Sequence, residues 1–192
     1  MYPPKLSLKE EYLRYVEREL MIKGGRWVAT FDVAIRDFNI STLSEKYTKS
    51  DQKHNIDSLI YGGVRHKGFI LSRAFSFMAS PTYRVGCAVI HLTNIINARW
   101  SFLVEYIREV GSIKEKMEFE WMWLLFFGEG KLKSKVIKNI NQHSSRELGI
   151  LYADLKNVEI QVSDSFIARH GLKLFHPKNL AKQSSRLKFW SN

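Results

Sequence analysis

The chain is poor in cysteine and has no long hydrophobic run, and both absences exclude classes of protein. Cys87 is the one cysteine among 192 residues, so no disulfide can form within the chain, and a reducing cytoplasm is the expected location. Its apolar surroundings favour a core residue over a catalytic thiol. No stretch reaches the roughly 20 apolar residues that a membrane-spanning helix needs, and the first residues lack the apolar segment of a signal peptide.

Acidic residues and metal-ligand patterns are also scarce. The 19 Asp and Glu are outnumbered by 30 Lys and Arg, and the formal net charge is +11. Such an excess indicates a polyanionic partner: a nucleic acid, an acidic protein or a phosphate-rich cofactor. The six histidines show no spacing such as H-E-x-x-H, so we expect no metal site.

The excess of positive charge is not uniform, and residues 178–192 contain four basic residues and no acid. The candidate DNA- or RNA-binding residues are Lys178, Lys182, Arg186 and Lys188. Two interpretations stay open, a contact with nucleic-acid phosphates and a solvated tail that improves solubility.

The first pattern along the chain predicts an N-terminal helix over about 8–23. Leu13, Val16 and Leu20 repeat at helical spacing. Ser7 and Glu10 fit a capping box before it, and a pair of glycines follows its end.

The rest of the chain mixes strand and helix patterns. We predict strands at 26–38, 67–78, 83–94, 116–127, 150–155 and 172–175, helices at 131–148 and 163–170, and a partly helical polar segment at 40–63. Residues 99–110 fit either a strand or a helix, and Gly149 and Gly171 are predicted to end the last two helices. The fold class is therefore α/β (α+β mixed), as one domain over 1–192 with a mixed central sheet, flanking helices and a basic C-terminal tail.

Residues 117–175 resemble the GNAT superfamily of acyl-CoA-dependent N-acyltransferases. The resemblance rests on MEFEWMWLLFFGEGKLKSKVIKNINQ, then ILYADL, then SFIARHGLKLF. It implies a central strand, a glycine turn, a helix, a second strand, a short helix and a final strand. Phe166 and Gly171 match the pattern of that short helix, whereas Ile167 stands where the family often has a tyrosine.

The same resemblance implies an acyl-CoA site, for acetyl-CoA first, in the half of the chain spanning 117–175. The turn at the start of the predicted helix 131–148 supplies the candidate residues Gly128, Gly130, Lys131, Leu132, Lys133 and Ser134. Independently, the first N–H groups of a helix are unsatisfied and carry partial positive charge, so phosphates bind there. Lys133 or Ser134 occupies a place where the family often has glycine.

Three carboxylates are candidate bases for deprotonating an amine acceptor. Glu118 and Glu120 alternate on one face of the predicted central strand, beside aromatic side chains whose desolvation would raise a carboxyl pKa. Asp154 ends the next predicted strand. Together these patterns predict an N-acyltransferase whose amine acceptor is carried by a small molecule, a protein or a nucleic acid.

Three other interpretations stay open. Ser134 and the YAD at 152–154 are similar to features of Mom-type DNA-modifying enzymes, a GNAT-like branch. His91 and His143 each begin a His-x-Ser/Thr pair, which is typical of 2H phosphoesterases. The third is a non-enzymatic nucleic-acid-binding domain, which the net charge favours, with a weak helix-turn-helix likeness over 43–59.

Overall fold

The structure, a computed structural model, describes residues 7–23, 56–65 and 82–180. Within them the chain forms helices α1 (Leu8–Lys23), α2 (Trp100–Lys116), α3 (Ser134–Gln142) and α4 (Phe166–Phe175), and strands β1 (Ser58–Arg65), β2 (Thr82–His91), β3 (Trp121–Gly128), β4 (Leu148–Asp154) and β5 (Glu159–Val162). The predicted strands at 26–38 and 67–78 and most of the helix-turn-helix-like segment lie outside the described residues.

A five-stranded mixed sheet forms the centre, in the order β1-β2-β3-β4-β5. The three middle strands are parallel, and each edge strand is antiparallel to its neighbour. Helices α2 and α3 connect the parallel strands, as parallel pairing requires. The α/β class with a mixed sheet and flanking helices is therefore confirmed.

Both faces of the sheet are covered. One hydrophobic core lies between the sheet and helices α2 and α3 and includes Leu103, Val136 and Phe126. The other lies between the sheet and helices α1 and α4 and includes Tyr12 and Phe175. Burial on both faces explains why WMWLLFFG in β3 is a continuous apolar run and not an alternating one.

The N-terminal helix is confirmed together with its cap. The Ser7 backbone N–H donates to Glu10 Oε2 at 2.9 Å, and the Glu10 N–H donates to Ser7 Oγ at 3.3 Å. Helix α1 is held to helix α4 by the Tyr12 hydroxyl, which donates to the carbonyl of Phe175 at 2.5 Å. The Tyr15 hydroxyl donates to the carbonyl of Leu174, the preceding residue of α4.

The predicted final strand at 172–175 is wrong, because helix α4 continues through Gly171 to Phe175. Its buried positions are Ile167, Ala168, Gly171 and Phe175, a helical spacing. A Cβ on Gly171 would lie 2.8 Å from Leu151 Cδ2 and 3.0 Å from the Trp123 ring. Gly171 therefore serves close packing of the helix on the sheet, not helix termination.

Other boundaries also differ from the predictions. Residues 58–63 belong to strand β1, not to a partly helical segment. Residues 100–116 form a helix, which settles the open choice for 99–110. The central strand begins at Trp121, not at Lys116. Gly149 lies inside β4, whereas helix α3 already ends at Gln142.

Candidate functional site

The carboxyl ends of the parallel strands share one edge of the sheet, called here the carboxyl edge. β2, β3 and β4 end there at His91, Gly128 and Asp154. Helices α2 and α3 begin there because each follows a parallel strand. Open α/β sheets generally bind ligands outside the carboxyl ends of their strands, so this edge is the first place to look for a site.

Asp154 holds the turn between β3 and α3 in place. Its Oδ1 accepts the backbone N–H groups of Gly130, Lys156 and Asn157 at 3.0, 3.0 and 3.1 Å. Its Oδ2 accepts from Asn157 Nδ2 at 2.6 Å. The Tyr152 hydroxyl adds a bond to the Gly130 carbonyl at 2.5 Å. With 3% of its surface exposed, Asp154 is a clamp for the turn and not a base open to a substrate.

The predicted cofactor residues occupy this turn but differ in what they can contact. Gly128 is packed, since a Cβ there would lie 2.7 Å from Ile95 Cδ1. Gly130 has a φ of 133° and open space beside it. Leu132 belongs to the core. Lys131 pairs with Glu159 at 3.3 Å.

Lys133 and Ser134 are exposed at the start of helix α3, and Lys135 follows them. Next to this turn, β3 and β4 stay paired to their last residues, Gly128 opposite Asp154. A ligand at this turn would therefore lie over the strand ends and the start of α3, not in a fork between the two strands.

Glu118 and Glu120 lie at the opposite edge of the sheet. They precede β3, outside any strand, and Glu118 has a positive φ of 53°. The length of the strand, at about 3.3 Å per residue, separates them from the turn. The structure does not bring these two carboxylates together with Asp154 or with the predicted cofactor residues.

The helix starts differ between the two faces of the sheet. Helix α1 has the Ser7–Glu10 capping box, and helix α4 has Ser165, whose hydroxyl accepts the Ala168 N–H at 3.1 Å. Helices α2 and α3, on the other face, have Arg99 and Lys133 at the N-cap, no side-chain cap and no acid in the first turn. A cation at the positive end of a helix is unfavourable, so these two starts are suited to an added anion.

A cleft of about 440 Å³ opens beside the start of helix α2. Its lining includes Lys9, Asp57, His91, Asn97, Arg99 and Phe102. The volume falls in the range of small-molecule sites, roughly 300–1,000 Å³. The prediction from sequence missed this cleft, because its residues come from separate parts of the chain that carry no shared motif.

An ion pair joins three elements at the cleft. Lys9 Nζ of helix α1 lies 2.6 Å from Asp57 Oδ1, and the His91 backbone N–H donates to Asp57 Oδ2 at 2.6 Å. Asp57 in turn donates its own N–H to the Val89 carbonyl at 3.0 Å. These bonds fix the last residue of β2 relative to the start of β1 and of α1.

Desolvation lowers the pKa of His91, and the charge of Lys9 lowers it further. The carboxylates of Asp57 and Glu129 act in the opposite direction. His91 lies opposite Phe127 in the register of β2 and β3, two residues before Glu129, so it lies near the turn between β3 and α3. With a pKa below its usual value near 6.5, His91 is neutral at pH 7.

The remaining predicted residues are placed only in part. Lys178 is exposed just after helix α4, whereas Lys182, Arg186 and Lys188 lie outside the described residues.

His143 follows the end of α3, at the edge of the sheet opposite to His91. The two imidazoles therefore do not face each other across one site, as the 2H phosphoesterase interpretation requires.

Comparisons with protein-family models, with curated proteins and with solved structures gave no match. Across the described ranges no group of three or more His, Cys, Asp or Glu side chains is arranged to hold a metal ion. Of the helices in the part of the chain that the structure describes, none is long and apolar enough to cross a bilayer. The GNAT resemblance and the cytoplasmic location stay predictions.

Proposed function

We propose that this protein is a GNAT-like N-acyltransferase that binds an acyl-CoA along the carboxyl edge and transfers its acyl group to an amine. The observation that carries the proposal is the pair of helix starts at that edge, α2 and α3, each with a basic N-cap and no acid in its first turn. A ligand with several phosphates would neutralise both. The cleft between Lys9 and Arg99 then offers room for a further part of the ligand or for the acceptor.

The start of helix α3 fits a phosphate. The first N–H groups of a helix have no partner within it, Lys133 and Lys135 are exposed there, and the space beside Gly130 is open. Bound acyl-CoA supplies an activated thioester. The residues of this chain would orient it and hold its phosphates, and Asp154 keeps the turn in shape for that task.

Removing the two exposed lysines at this start should weaken cofactor binding. Because hydrogen bonds to charged groups contribute about 1.5–3 kcal/mol each, we expect the double substitution Lys133→Gln and Lys135→Gln to raise the Kd for acetyl-CoA at least roughly tenfold. Isothermal titration calorimetry measures this. Gly130 is less suitable for the test, because a side chain at its positive φ strains the turn whether or not a ligand binds.

A double variant at the far edge is the matched control. Lys116→Gln with Arg146→Gln removes the same charge from exposed positions at the edge of the sheet opposite to the carboxyl edge. This double variant should bind acetyl-CoA like the parent protein. An equal loss in both double variants would mean that net charge and not this site attracts the cofactor. No binding by the parent protein would reject the acyl-CoA assignment.

A second function, binding of DNA or RNA, is favoured by the distribution of exposed charge. Helix α3 contains no acid and exposes Lys135 and Lys138, and Lys178 is exposed after helix α4. The two functions are compatible if the amine acceptor is part of a nucleic acid. Ser134 and Asp154, which carry the likeness to Mom-type DNA-modifying enzymes, both lie at the carboxyl edge.

The basic tail provides the test of nucleic-acid binding. Each phosphate neutralised on duplex DNA contributes about 0.9 to the slope of log K against log[salt]. Replacing Lys178, Lys182, Arg186 and Lys188 by Gln should therefore flatten that slope by about three to four units and leave Tm nearly unchanged. An unaltered slope would mean that the tail serves solubility alone, and a collapse of Tm would mean that these residues stabilise the fold.

A further inference from the structure

His91 presents only one of its ring nitrogens to the cleft. Its Nδ1 is shielded from solvent and has no hydrogen-bond partner among the described residues. The ring packs on Phe127, with the centroids 5.0 Å apart. Since His91 lines the cleft, Nε2 is the nitrogen that a ligand can reach.

The burial of Nδ1 determines where the proton of the neutral ring lies. A proton on Nδ1 would create a buried N–H donor without an acceptor, which costs about 1–3 kcal/mol. A proton on Nε2 can instead be hydrogen-bonded by water or by a ligand in the cleft. An unprotonated Nδ1 lacks a partner as well, but orphaned buried N–H donors are rarer in proteins than under-satisfied acceptors. The site therefore favours the Nε2–H tautomer, which donates through Nε2 and leaves a lone pair on the shielded Nδ1.

Charged groups of both signs surround this donor. Arg99 lines the cleft at the start of helix α2, and Lys9 and the Asp57 carboxylate neutralise each other on its other side. Across the strand ends, Glu129 carries a second carboxylate two residues after Phe127, the register partner of His91. Arg99 is the cation of the lining that forms no ion pair with a described carboxylate, and His91 adds a donor held in place by Asp57 through its backbone.

We propose that His91 is a ligand-binding residue that donates its Nε2–H to an anionic phosphate oxygen bound in the cleft, with Arg99 as the charged partner. The proposal rests on the proposed function for the identity of the whole ligand, an acyl-CoA, but the phosphate-binding step does not depend on it. It assigns His91 the role of a donor and not of a general base, because accepting a proton at Nε2 would require the proton on the shielded Nδ1.

Nitrogen-15 NMR of histidine-labelled full-length protein, titrated with sodium pyrophosphate and separately with coenzyme A, tests this. In the free protein we expect the Nε2–H tautomer for His91 above its pKa. Pyrophosphate should shift the Nε2 resonance and raise the pKa of His91, because a nearby anion favours the charged ring. His143, at the opposite edge, should not respond.

Two substitutions separate donation from packing. His91→Gln places an amide N–H near the position of Nε2 and should keep pyrophosphate binding within a few-fold of the parent. His91→Phe keeps the ring and removes the donor, and it should weaken binding about tenfold, as loss of a hydrogen bond to a charged group does. Arg99→Gln should weaken binding at least as much.

Each outcome decides between the two proposals. If pyrophosphate shifts His91 but coenzyme A does not bind, the acyl-CoA function fails and the phosphate site stands. If coenzyme A binds without changing His91, the phosphate site fails and the function stands. An Nδ1–H tautomer in the free protein, or equal pyrophosphate binding by His91→Phe and the parent, overturns the donor assignment. If neither ligand binds, both proposals fail.

Discussion

Replacing Asp154 by alanine should lower the free energy of unfolding by about 3–5 kcal/mol. The carboxylate is buried and accepts four hydrogen bonds, three from backbone N–H groups and one from the Asn157 amide. Its removal leaves several donors without a partner in a closed turn, at about 1–3 kcal/mol for each one that water cannot reach. Urea unfolding followed by circular dichroism measures the loss.

Two aspartate variants make this prediction specific. Asp154→Asn keeps an oxygen for the backbone donors and loses only the acceptor for Asn157 Nδ2, so it should be destabilised by about half as much. Asp164→Ala removes an exposed carboxylate that pairs with exposed Arg169, and such pairs contribute at most about 1 kcal/mol. If Asp154→Ala were no more destabilising than Asp164→Ala, Asp154 would not clamp the turn.

Where neighbouring residues determine the structure, the sequence was a sufficient guide. The Ser7–Glu10 capping box lies within one helical turn, and its prediction holds at both hydrogen bonds. The apolar runs of β3 and β4 could also be recognised as strands from the sequence. Both faces of these strands are covered, so nearly every residue in them is apolar. The predicted start of β3 was wrong, because Glu118 has a positive φ and lies before the strand, outside it.

Long-range packing determined what the sequence did not reveal. Gly171 carries the local signal of a helix end, yet it is a contact point against Trp123 and Leu151, more than 15 residues away in the chain. The cleft depends on the same kind of contact. Lys9 and Asp57 are separated by 48 residues, and Asp57 and His91 by 34. The pairing of β1 with β2 brings Asp57 to His91, and the packing of α1 against β1 brings Lys9 to Asp57. No local pattern encodes either contact.

The predicted site residues show the same difference between local patterns and long-range structure. The turn from Gly128 to Ser134 was found from sequence because a strand, two glycines and a helix follow one another directly. Glu118 and Glu120 were chosen for their alternation and their aromatic neighbours, and neither feature tells at which end of the strand a ligand binds. An eight-residue strand extends about 3.3 Å per residue, so its two ends belong to opposite edges of the sheet.

Gly149→Ala is expected to destabilise the protein by about 3 kcal/mol, near the upper end for overpacking of a core. Helix α4 lies so close to β4 that a Cβ at this position would be 2.6 Å from the Ala168 N and 3.0 Å from the Ile167 carbonyl carbon. These are backbone atoms of a helix, so they cannot move aside as a flexible side chain can. The whole of α4 would have to shift away from the sheet.

The same substitution in helix α2 is the matched control. A Cβ on Gly111 meets no atom within 4 Å, and alanine is the better helix former, so Gly111→Ala should stabilise the protein by about 0.5–1 kcal/mol. Chemical unfolding of both variants then gives shifts of opposite sign. Destabilisation of Gly149→Ala by less than about 0.5 kcal/mol, the usual scale for a surface change, would mean that α4 does not pack against β4 at this glycine.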